Sequence, residues 1–161
     1  MLTAGLAALA MAAVPVTASA APKVKLKVSE QKNGPYVKAP GPNPLDVSTT
    51  GEDPKNLYLR ASLADDSSVK VRLFERLGSS PGSDDYHFQW FVGSDNISHD
   101  AQTSGYLFKL KEGHPQKFRV RVEPEISNPE SACLFPLIEK NSSMSDLADA
   151  FFAINDPNAC V

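Results

Sequence analysis

The chain has 161 residues, of which 42% are hydrophobic and 22% are charged, and its 16 basic and 19 acidic side chains give a formal net charge of -3. This length and apolar content suit one domain with a single hydrophobic core, and they exclude an intrinsically disordered protein. The acidic balance argues against a general nucleic-acid-binding protein, because such proteins usually carry a basic excess.

Residues 1–20 have the pattern of a secretory signal peptide. Leu2 to Val16 form an apolar stretch, and Ala18-Ser19-Ala20 supplies the small residues that signal peptidase requires. No side chain before Lys23 is positive, so the amino terminus or an upstream start would supply the usual charge; the alternative is a buried Ala-rich helix. We predict cleavage before Ala21 and a secreted or extracellular protein. No transmembrane segment is expected, since no later apolar run approaches the roughly 20 residues that span a bilayer.

Six later segments alternate apolar and polar residues with the period of a β-strand. They lie at 23–29, 57–63, 69–74, 86–92, 106–110 and 118–123. Such alternation is typical of antiparallel strands with one buried and one solvent-facing side. Turn-forming residues separate most of them, and the helical stretches of an α/β fold are absent, so the pattern predicts a sandwich or barrel.

The segment from Gln31 to Asn56 interrupts this pattern, because it contains five prolines and three glycines. Proline removes a backbone donor and fixes φ, which predicts an extended connection with few strands. It would wrap the edge of the sandwich or link an N-terminal strand to the main body. We therefore divide the chain into a signal peptide at 1–20, an N-terminal strand with its connection at 21–56, and a β-sandwich at 57–161.

The last third of the chain is less clear. Residues 132–138 look like a strand, although Pro136 would confine it to an edge or a bulge. Residues 145–154 fit two structures. Ser145 could cap a helix with Leu147, Phe151 and Ile154 on one face, or alternate residues from 148 to 154 could form a final strand.

The chain contains two cysteines, Cys133 and Cys160. In an exported protein such a pair is most simply a disulfide. The loop that it closes would stabilise the fold by roughly 3–4 kcal/mol on chain-entropy reasoning. A metal pair or a reactive thiol are the alternatives, and neither cysteine has the C-x-x-C partner or neighbouring His that would favour them.

The order of motifs after residue 105 resembles a known domain type. Residues 105–113 read G-Y-L-F-K-L-K-E-G, then come the strands near 117–123 and 133–138 and the segment Ser145-Asp146-Leu147-Ala148-Asp149-Ala150. This order resembles the closing half of immunoglobulin-like domains of secreted bacterial proteins, of the cell-adhesion-related type, in which a Y-x-L-x-x-G turn leads into the penultimate hairpin. The resemblance covers roughly residues 57–155 and has loose motifs.

The resemblance implies an all-β fold, an immunoglobulin-like antiparallel β-sandwich of about seven to eight strands. It favours a strand at 145–154 and implies a non-catalytic spacer, adhesion or binding role. The Cys133–Cys160 pair and the Pro-rich segment depart from the simple repeat pattern, which suggests a free-standing protein.

Sequence motifs for catalysis and cofactor binding are absent. There is no nucleophile elbow, P-loop, dinucleotide fingerprint or zinc-ligand spacing, so we predict no enzyme, no catalytic residue and no cofactor. Turn carboxylates are typical calcium ligands, but Asp is also favoured in turns for its own hydrogen bonding. They remain weak calcium candidates: Asp65, Asp66, Asp84, Asp85, Asp95 and Asp100.

Aromatic residues suggest a binding patch. Trp90 lies in mid-strand and is expected in the core. Phe91 points to the opposite face and, together with Phe74, could form an exposed patch for sugar stacking or partner contact. The Pro-rich segment could equally cover it, and we favour that interpretation.

Basic residues alternate with the apolar positions of several strands. If these strands were adjacent, they would present a positive stripe to anionic wall polymers or glycans; otherwise they are ordinary solvated positions. The residues concerned are Lys23, Lys25, Lys27, Lys70, Arg72, Arg119 and Arg121.

Together these features predict a secreted, non-enzymatic binding or structural module that acts at the cell envelope. Its partner would be an envelope polymer or another secreted protein, and not nucleic acid. The alternative is a secreted inhibitor or ligand carrier that uses loop 31–56 or loop 78–85, kept rigid by proline.

Overall fold

A computed structural model describes residues 23–64, 68–141 and 146–161; the predicted signal peptide lies outside these ranges. Eleven strands, one short α-helix, α1 (Ser98–Gln102), and one turn of 3-10 helix (Ser83–Asp85) occur in the described residues, and no helix there is long and apolar enough to cross a membrane. The strands are β1 (Val24–Ser29), β2 (Leu45–Val47), β3 (Lys55–Leu63), β4 (Ser68–Leu77), β5 (Tyr86–Val92), β6 (Asp95–Asn96), β7 (Tyr106–Lys111), β8 (Gln116–Pro124), β9 (Ala132–Lys140), β10 (Asp146–Asp149) and β11 (Phe152–Ile154).

The strands form two sheets. Sheet A has the order β1-β3-β8-β5-β6, and sheet B has the order β2-β11-β9-β4-β7 with β10 also paired to β9. The described pairs are antiparallel except for β2 with β11, which are parallel. The predicted all-β, immunoglobulin-like antiparallel β-sandwich is confirmed. Its seven longer strands have six to ten residues, and the four further strands have only two to four.

The core lies between the sheets and is built by the alternation seen in the sequence. In β3, Leu57, Leu59 and Ala61 are fully buried while the residues between them face outward. Trp90 of β5 is also fully buried, as predicted. Strands β3 and β8 in particular therefore have one side fixed by apolar packing and one side free to carry another function.

Strand β9 corrects one expectation. Pro136 was expected to place this strand at an edge or a bulge, yet β9 lies inside sheet B, between β4 and the pair β10 and β11. The proline is tolerated because its partner strand is interrupted opposite it: β10 ends at Asp149 and β11 begins at Phe152. There the Pro136 carbonyl accepts the Ala150 N–H, and no ladder donor is required from the proline nitrogen.

Residues 146–154 are extended and not helical, and Ser145 lies outside the described residues. Strands β10 and β11 occupy most of this segment and both pair with β9. Ala150, Phe152 and Ile154 are fully buried, but the predicted alternation is not kept, because Ala153 is also buried and Ala148 is only partly buried.

The Pro-rich connection joins the two sheets. It leaves sheet A after β1, returns at Val37 to exchange two backbone hydrogen bonds with Val28, each 2.9 Å long, and reaches sheet B at β2. Further along, the Phe151 backbone N–H donates to the Ala39 carbonyl, and the Leu45 N–H donates to the Phe151 carbonyl. The connection is thus held along its length by backbone hydrogen bonds to both halves of the sandwich.

Cys133 and Cys160 form the predicted disulfide, with 5.0 Å between their Cα atoms. The bond ties the C-terminal residues to β9. The Ser80 hydroxyl donates to the Ala159 carbonyl, which attaches the same segment to the loop after β4. The chain end is therefore fixed on the sandwich instead of extending from it.

Candidate functional site

The outer face of sheet A carries a regular array of basic side chains. Strands β1, β3 and β8 are neighbours, and their register places Lys27 opposite Arg60 and Arg60 opposite Lys117. We call these three residues the basic row. With the outward residues around it, the row forms a basic face whose members are Lys25, Lys27, Arg60, Lys117, Arg119 and Arg121.

Most of this charge is not neutralised by the protein itself. Arg121 donates to the Glu123 carboxylate at 3.2 Å, and it is the one member of the basic face with an ion pair among the described residues. Like charges directly opposite each other across strands are destabilising. The basic row therefore places three unneutralised cations side by side at a cost to the fold.

An aromatic row runs beside the basic row. Tyr58 of β3 is paired with Arg119 of β8, and Arg119 is paired in turn with Phe91 of β5. The Arg119 guanidinium lies 4.2 Å from the centre of the Phe91 ring, and its Nη1 donates to Asn56 at 3.2 Å. Stacking and the amide contact hold this guanidinium in place without neutralising it.

The loop after β1 adds a second tyrosine above the sheet. Gly34 has φ of +80°, a left-handed conformation that favours glycine, and a Cβ there would lie 2.9 Å from the Tyr36 nitrogen. The Tyr36 hydroxyl donates to the Lys32 carbonyl at 2.8 Å. Burial raises the pKa of Tyr36, an effect that the Arg60 charge opposes, so the hydroxyl stays protonated near neutral pH.

Tyr36 lines two cavities on this face. The larger has a volume of about 500 Å³ and is lined by Lys32, Tyr36, Asn56, Tyr58, Gly93, Lys117, Phe118 and Arg119. The smaller has a volume of about 390 Å³ and is lined by Lys25, Lys27, Asn33, Tyr36, Arg60 and Ser62. We call the two cavities together the groove. Its cations, phenols and amides suit an anionic ligand that also presents hydroxyl groups or rings.

The positive stripe suggested by the sequence thus exists, but its membership differs. Lys70 and Arg72 belong to β4 in sheet B, on the other side of the molecule. Arg72 has a structural role there, because its Nε donates to Asn141 at 2.6 Å and its Nη1 donates to the Ser104 carbonyl at 3.2 Å. The sequence pattern does not predict that Arg60 and Lys117 are neighbours, because only the β3–β8 register brings them together.

The suggested aromatic patch of Phe74 and Phe91 is not formed. Phe74 lies in sheet B and Phe91 in sheet A. Phe74 is 4% exposed, because the loop at Gly105 covers its ring: a Cβ at Gly105 would lie 2.6 Å from the ring. Phe91 is half-buried, with the Arg119 guanidinium over its ring.

The four calcium candidates that the structure describes lie on three different elements. Asp84 and Asp85 lie in the turn before β5, Asp95 lies in β6, and Asp100 lies in α1. Asp65 and Asp66 are outside the described residues. One Asp85 carboxylate oxygen accepts the Glu130 backbone N–H at 2.9 Å, which is a structural contact. Across residues 23–64, 68–141 and 146–161, no group of three or more acidic, His or Cys side chains is arranged to hold a metal ion.

A half-buried carboxylate at the other end of the sandwich was not anticipated. Glu75 of β4 accepts the indole N–H of Trp90 at 3.1 Å, so it joins the two sheets. Burial raises the pKa of Glu75, and the hydrogen bonds from Trp90 and Gln102 oppose that shift. A shallow cavity beside it also exposes His87 and Glu125, whose side chains approach to 3.8 Å.

Loop 78–85, proposed for the inhibitor alternative, is attached to the sandwich. The Gly78 and Gly82 backbone N–H groups donate to the carbonyls of Cys133 and Ser131 at 2.9 and 2.8 Å. The Ser83 hydroxyl donates within the loop, to the Ser80 carbonyl. The loop therefore lies along β9, whereas the first part of loop 31–56 borders the groove.

No protein-family model matches this chain, and no curated protein matches its sequence. Solved structures share the fold at very low sequence identity. A family 123 glycoside hydrolase from Clostridium perfringens aligns with TM-score 0.50 and 10% identity over 82% of this chain, which spans only 27% of the hydrolase. AvmM, which catalyses macrocyclization in alchivemycin A biosynthesis, aligns with TM-score 0.50 and 9% identity over 83% of this chain and 89% of its own. A PapD-like domain of human CEP192 aligns with TM-score 0.46 and 12% identity over 93% of this chain and 96% of its own. At these identities the likeness concerns the fold alone.

Proposed function

We propose that this protein is a secreted, non-enzymatic binding module that acts at the cell envelope and uses the basic face of sheet A to hold an anionic ligand. One observation carries the proposal: the basic row places Lys27, Arg60 and Lys117 on three adjacent strands with no described carboxylate in an ion pair with them. A cluster of unneutralised cations beside two cavities attracts anions.

Protection of the sheet edge would explain only part of the basic face. Lysines on edge strands prevent edge-to-edge association, and β1 is the edge of sheet A, so Lys25 and Lys27 could serve that purpose. Arg60, Lys117 and Arg119 lie on the inner strands β3 and β8, where edge protection is not needed. These three residues support the binding role.

The acidic side chains elsewhere are consistent with a selective surface. The whole chain has a net charge of -3, so the positive region is local and the rest of the surface repels polyanions. Because such repulsion is screened beyond about 10 Å at moderate salt, a ligand can approach the groove while prolonged contact with other surfaces is disfavoured.

The test compares two double variants that carry the same change in charge. Lys27→Glu/Lys117→Glu alters the groove, and Lys70→Glu/Lys109→Glu alters an exposed lysine pair on sheet B. We expect the unaltered protein to be retained on dextran sulfate and on native cell envelope but not on neutral dextran. The groove variant should lose this retention and the sheet B variant should keep it. Equal losses in both variants would mean that only total charge matters, and the proposal would fail.

The inhibitor or carrier alternative is tested in the same experiment with the culture's secreted proteins. Specific capture of one secreted protein, lost when loop 31–37 is replaced by a short Gly/Ser linker, would favour that alternative. Retention on the envelope that survives removal of all soluble proteins would favour the binding module.

A further inference from the structure

We propose that the groove binds an acidic polysaccharide that lies across β1, β3 and β8, with sugar rings against Tyr36 and Tyr58 and acidic groups on the flanking cations. This inference rests on the proposed function and names its ligand class. It is drawn from the aromatic side chain of Tyr36, which lines both cationic cavities of the groove.

The register places the aromatic rings beside the cations. Lys27, Arg60 and Lys117 are directly paired, so their Cα atoms follow one another at the usual strand spacing of about 5 Å. Tyr36 lines both cavities and contributes a ring and a neutral hydroxyl, and Tyr58 lies two residues before Arg60 on the same face of β3. A polymer that presents both acidic groups and neutral sugar rings matches this arrangement.

A polyanion that has no rings, such as polyphosphate, matches it less well. Aromatic rings carry partial negative charge on their faces, so they attract cations and apolar surfaces and not anions. An anionic group placed on the face of the Tyr36 or Tyr58 ring would lose hydration without gaining a hydrogen-bond donor from that face. The apolar C–H side of a sugar ring can pack against the same phenols.

Neutral polar side chains complete the match to a sugar. Asn33 and Ser62 line the smaller cavity, and Asn56 lines the larger one. The Asn56 carbonyl oxygen accepts from Arg119, so its amide nitrogen remains available as a donor. Hydroxyl groups both donate and accept, and such mixed lining suits them better than a purely cationic surface does.

Single-stranded nucleic acid is the competing ligand, since bases also stack on aromatic rings. It carries a phosphate on every nucleotide and, beyond the groove, would meet a surface whose balance is acidic. Nucleic-acid-binding domains instead show a basic excess over the whole domain. The observations therefore favour the polysaccharide.

The experiment titrates the full chain by calorimetry with four probes: hyaluronate, heparin, polyphosphate and oligothymidylate. Hyaluronate carries carboxylates between neutral sugars, and heparin adds sulfates, so the two distinguish the acidic groups. The variants are Tyr36→Leu/Tyr58→Leu in the groove and Phe135→Leu on sheet B as a matched aromatic control. Because both tyrosines are partly exposed, the double variant should fold, and circular dichroism verifies this; Tyr36→Leu alone replaces it otherwise.

We expect at least one acidic polysaccharide to bind more tightly than polyphosphate, and we expect the tyrosine variant to weaken that binding by about tenfold. The control variant should bind normally, and polyphosphate binding should not depend on the tyrosines. Equal, tyrosine-independent binding of polysaccharide and polyphosphate would overturn this inference and leave the proposed function standing. Tighter binding of oligothymidylate would also overturn it in favour of nucleic acid. If the protein binds none of the probes and is not retained on native cell envelope, both proposals fail.

Discussion

Replacing the central cation of the basic row should change stability and binding in opposite directions. Arg60 lies between Lys27 and Lys117, with a direct cross-strand pairing on each side. In the wild type both neighbours repel it, whereas in Arg60→Glu both neighbours attract the new carboxylate. The variant therefore converts two unfavourable pairs into two favourable ones at the position where we place the ligand.

The size of the effect follows from the exposure of the site. A cross-strand charge pair contributes roughly 0.2–1 kcal/mol, and exposed pairs fall at the lower end of that range because solvent screens them. Two pairs that change sign should increase the free energy of unfolding by about 0.5–2 kcal/mol. For a domain of this size this corresponds to a rise in Tm of roughly 2–6 °C. Binding of the anionic ligand should fall by at least about tenfold, since one attraction is lost and a repulsion is added.

The assay is thermal unfolding and ligand titration on the same preparations, at low salt and again at about 1 M NaCl, where both effects should largely disappear. Lys70→Glu is the matched control, because Lys70 faces Lys109 across β4 and β7 in the same way but on sheet B. It should gain stability and keep its affinity. An Arg60→Glu protein that is less stable than wild type, or that binds equally well, would refute this reasoning.

Three further outcomes concern the disulfide, the half-buried carboxylate and the loop of the groove. Replacing Cys133 and Cys160 by Ala should lower the free energy of unfolding by about 3–4 kcal/mol, measured in urea against the oxidised wild type. The reason is that the loop between these cysteines, which are 27 residues apart, is no longer closed in the unfolded chain. Burial raises the pKa of Glu75 in the folded protein above 4.5, so ionisation of this carboxyl opposes folding. The stability that protonated Glu75 contributes is fully present below pH 4.5 and is lost as the pH rises through the raised pKa. The Glu75→Gln variant should not show this loss, so it should be more stable than the wild type at pH 7 but not at about pH 4. Identical urea midpoints for the variant and the wild type across that range would contradict the raised pKa of Glu75. Gly34→Ala should cost about 1 kcal/mol, because φ is +80° and the new Cβ would meet Tyr36 at 2.9 Å, and it should weaken ligand binding by displacing that ring.

The strands could be predicted from the sequence because the cause of alternation is local. In β8, Phe118, Val120 and Val122 are almost fully buried while the residues between them face solvent, and this difference follows from the pleat of a single strand. The disulfide could also be predicted, since the chain contains only Cys133 and Cys160. These inferences do not depend on which strands are neighbours.

The site depended on contacts between distant parts of the chain and could be predicted only in outline. Arg60 and Lys117 are far apart in sequence and become neighbours through the β3–β8 register. The outward direction of Phe74 was foreseeable, but its burial results from a loop near Gly105 that the strand pattern does not describe. The position of Pro136 inside a sheet likewise required knowledge of the break between β10 and β11.

The same alternation that builds the core also gives the groove its rigidity. Lys27 and Arg60 each lie between two buried residues of their own strand; for Arg60 these are Leu59 and Ala61, both fully buried, and Lys117 is followed by the buried Phe118. The backbone spacing of the row is thus set by core packing, although the cationic side chains themselves remain solvated. Less conformational freedom is lost on binding when the attachment points are already fixed. A core reduction beneath the row, such as Leu59→Ala, should therefore weaken ligand binding more than an equally destabilising change beneath sheet B. The disulfide, which lies on sheet B, provides that comparison, because its loss should lower stability without moving the cations.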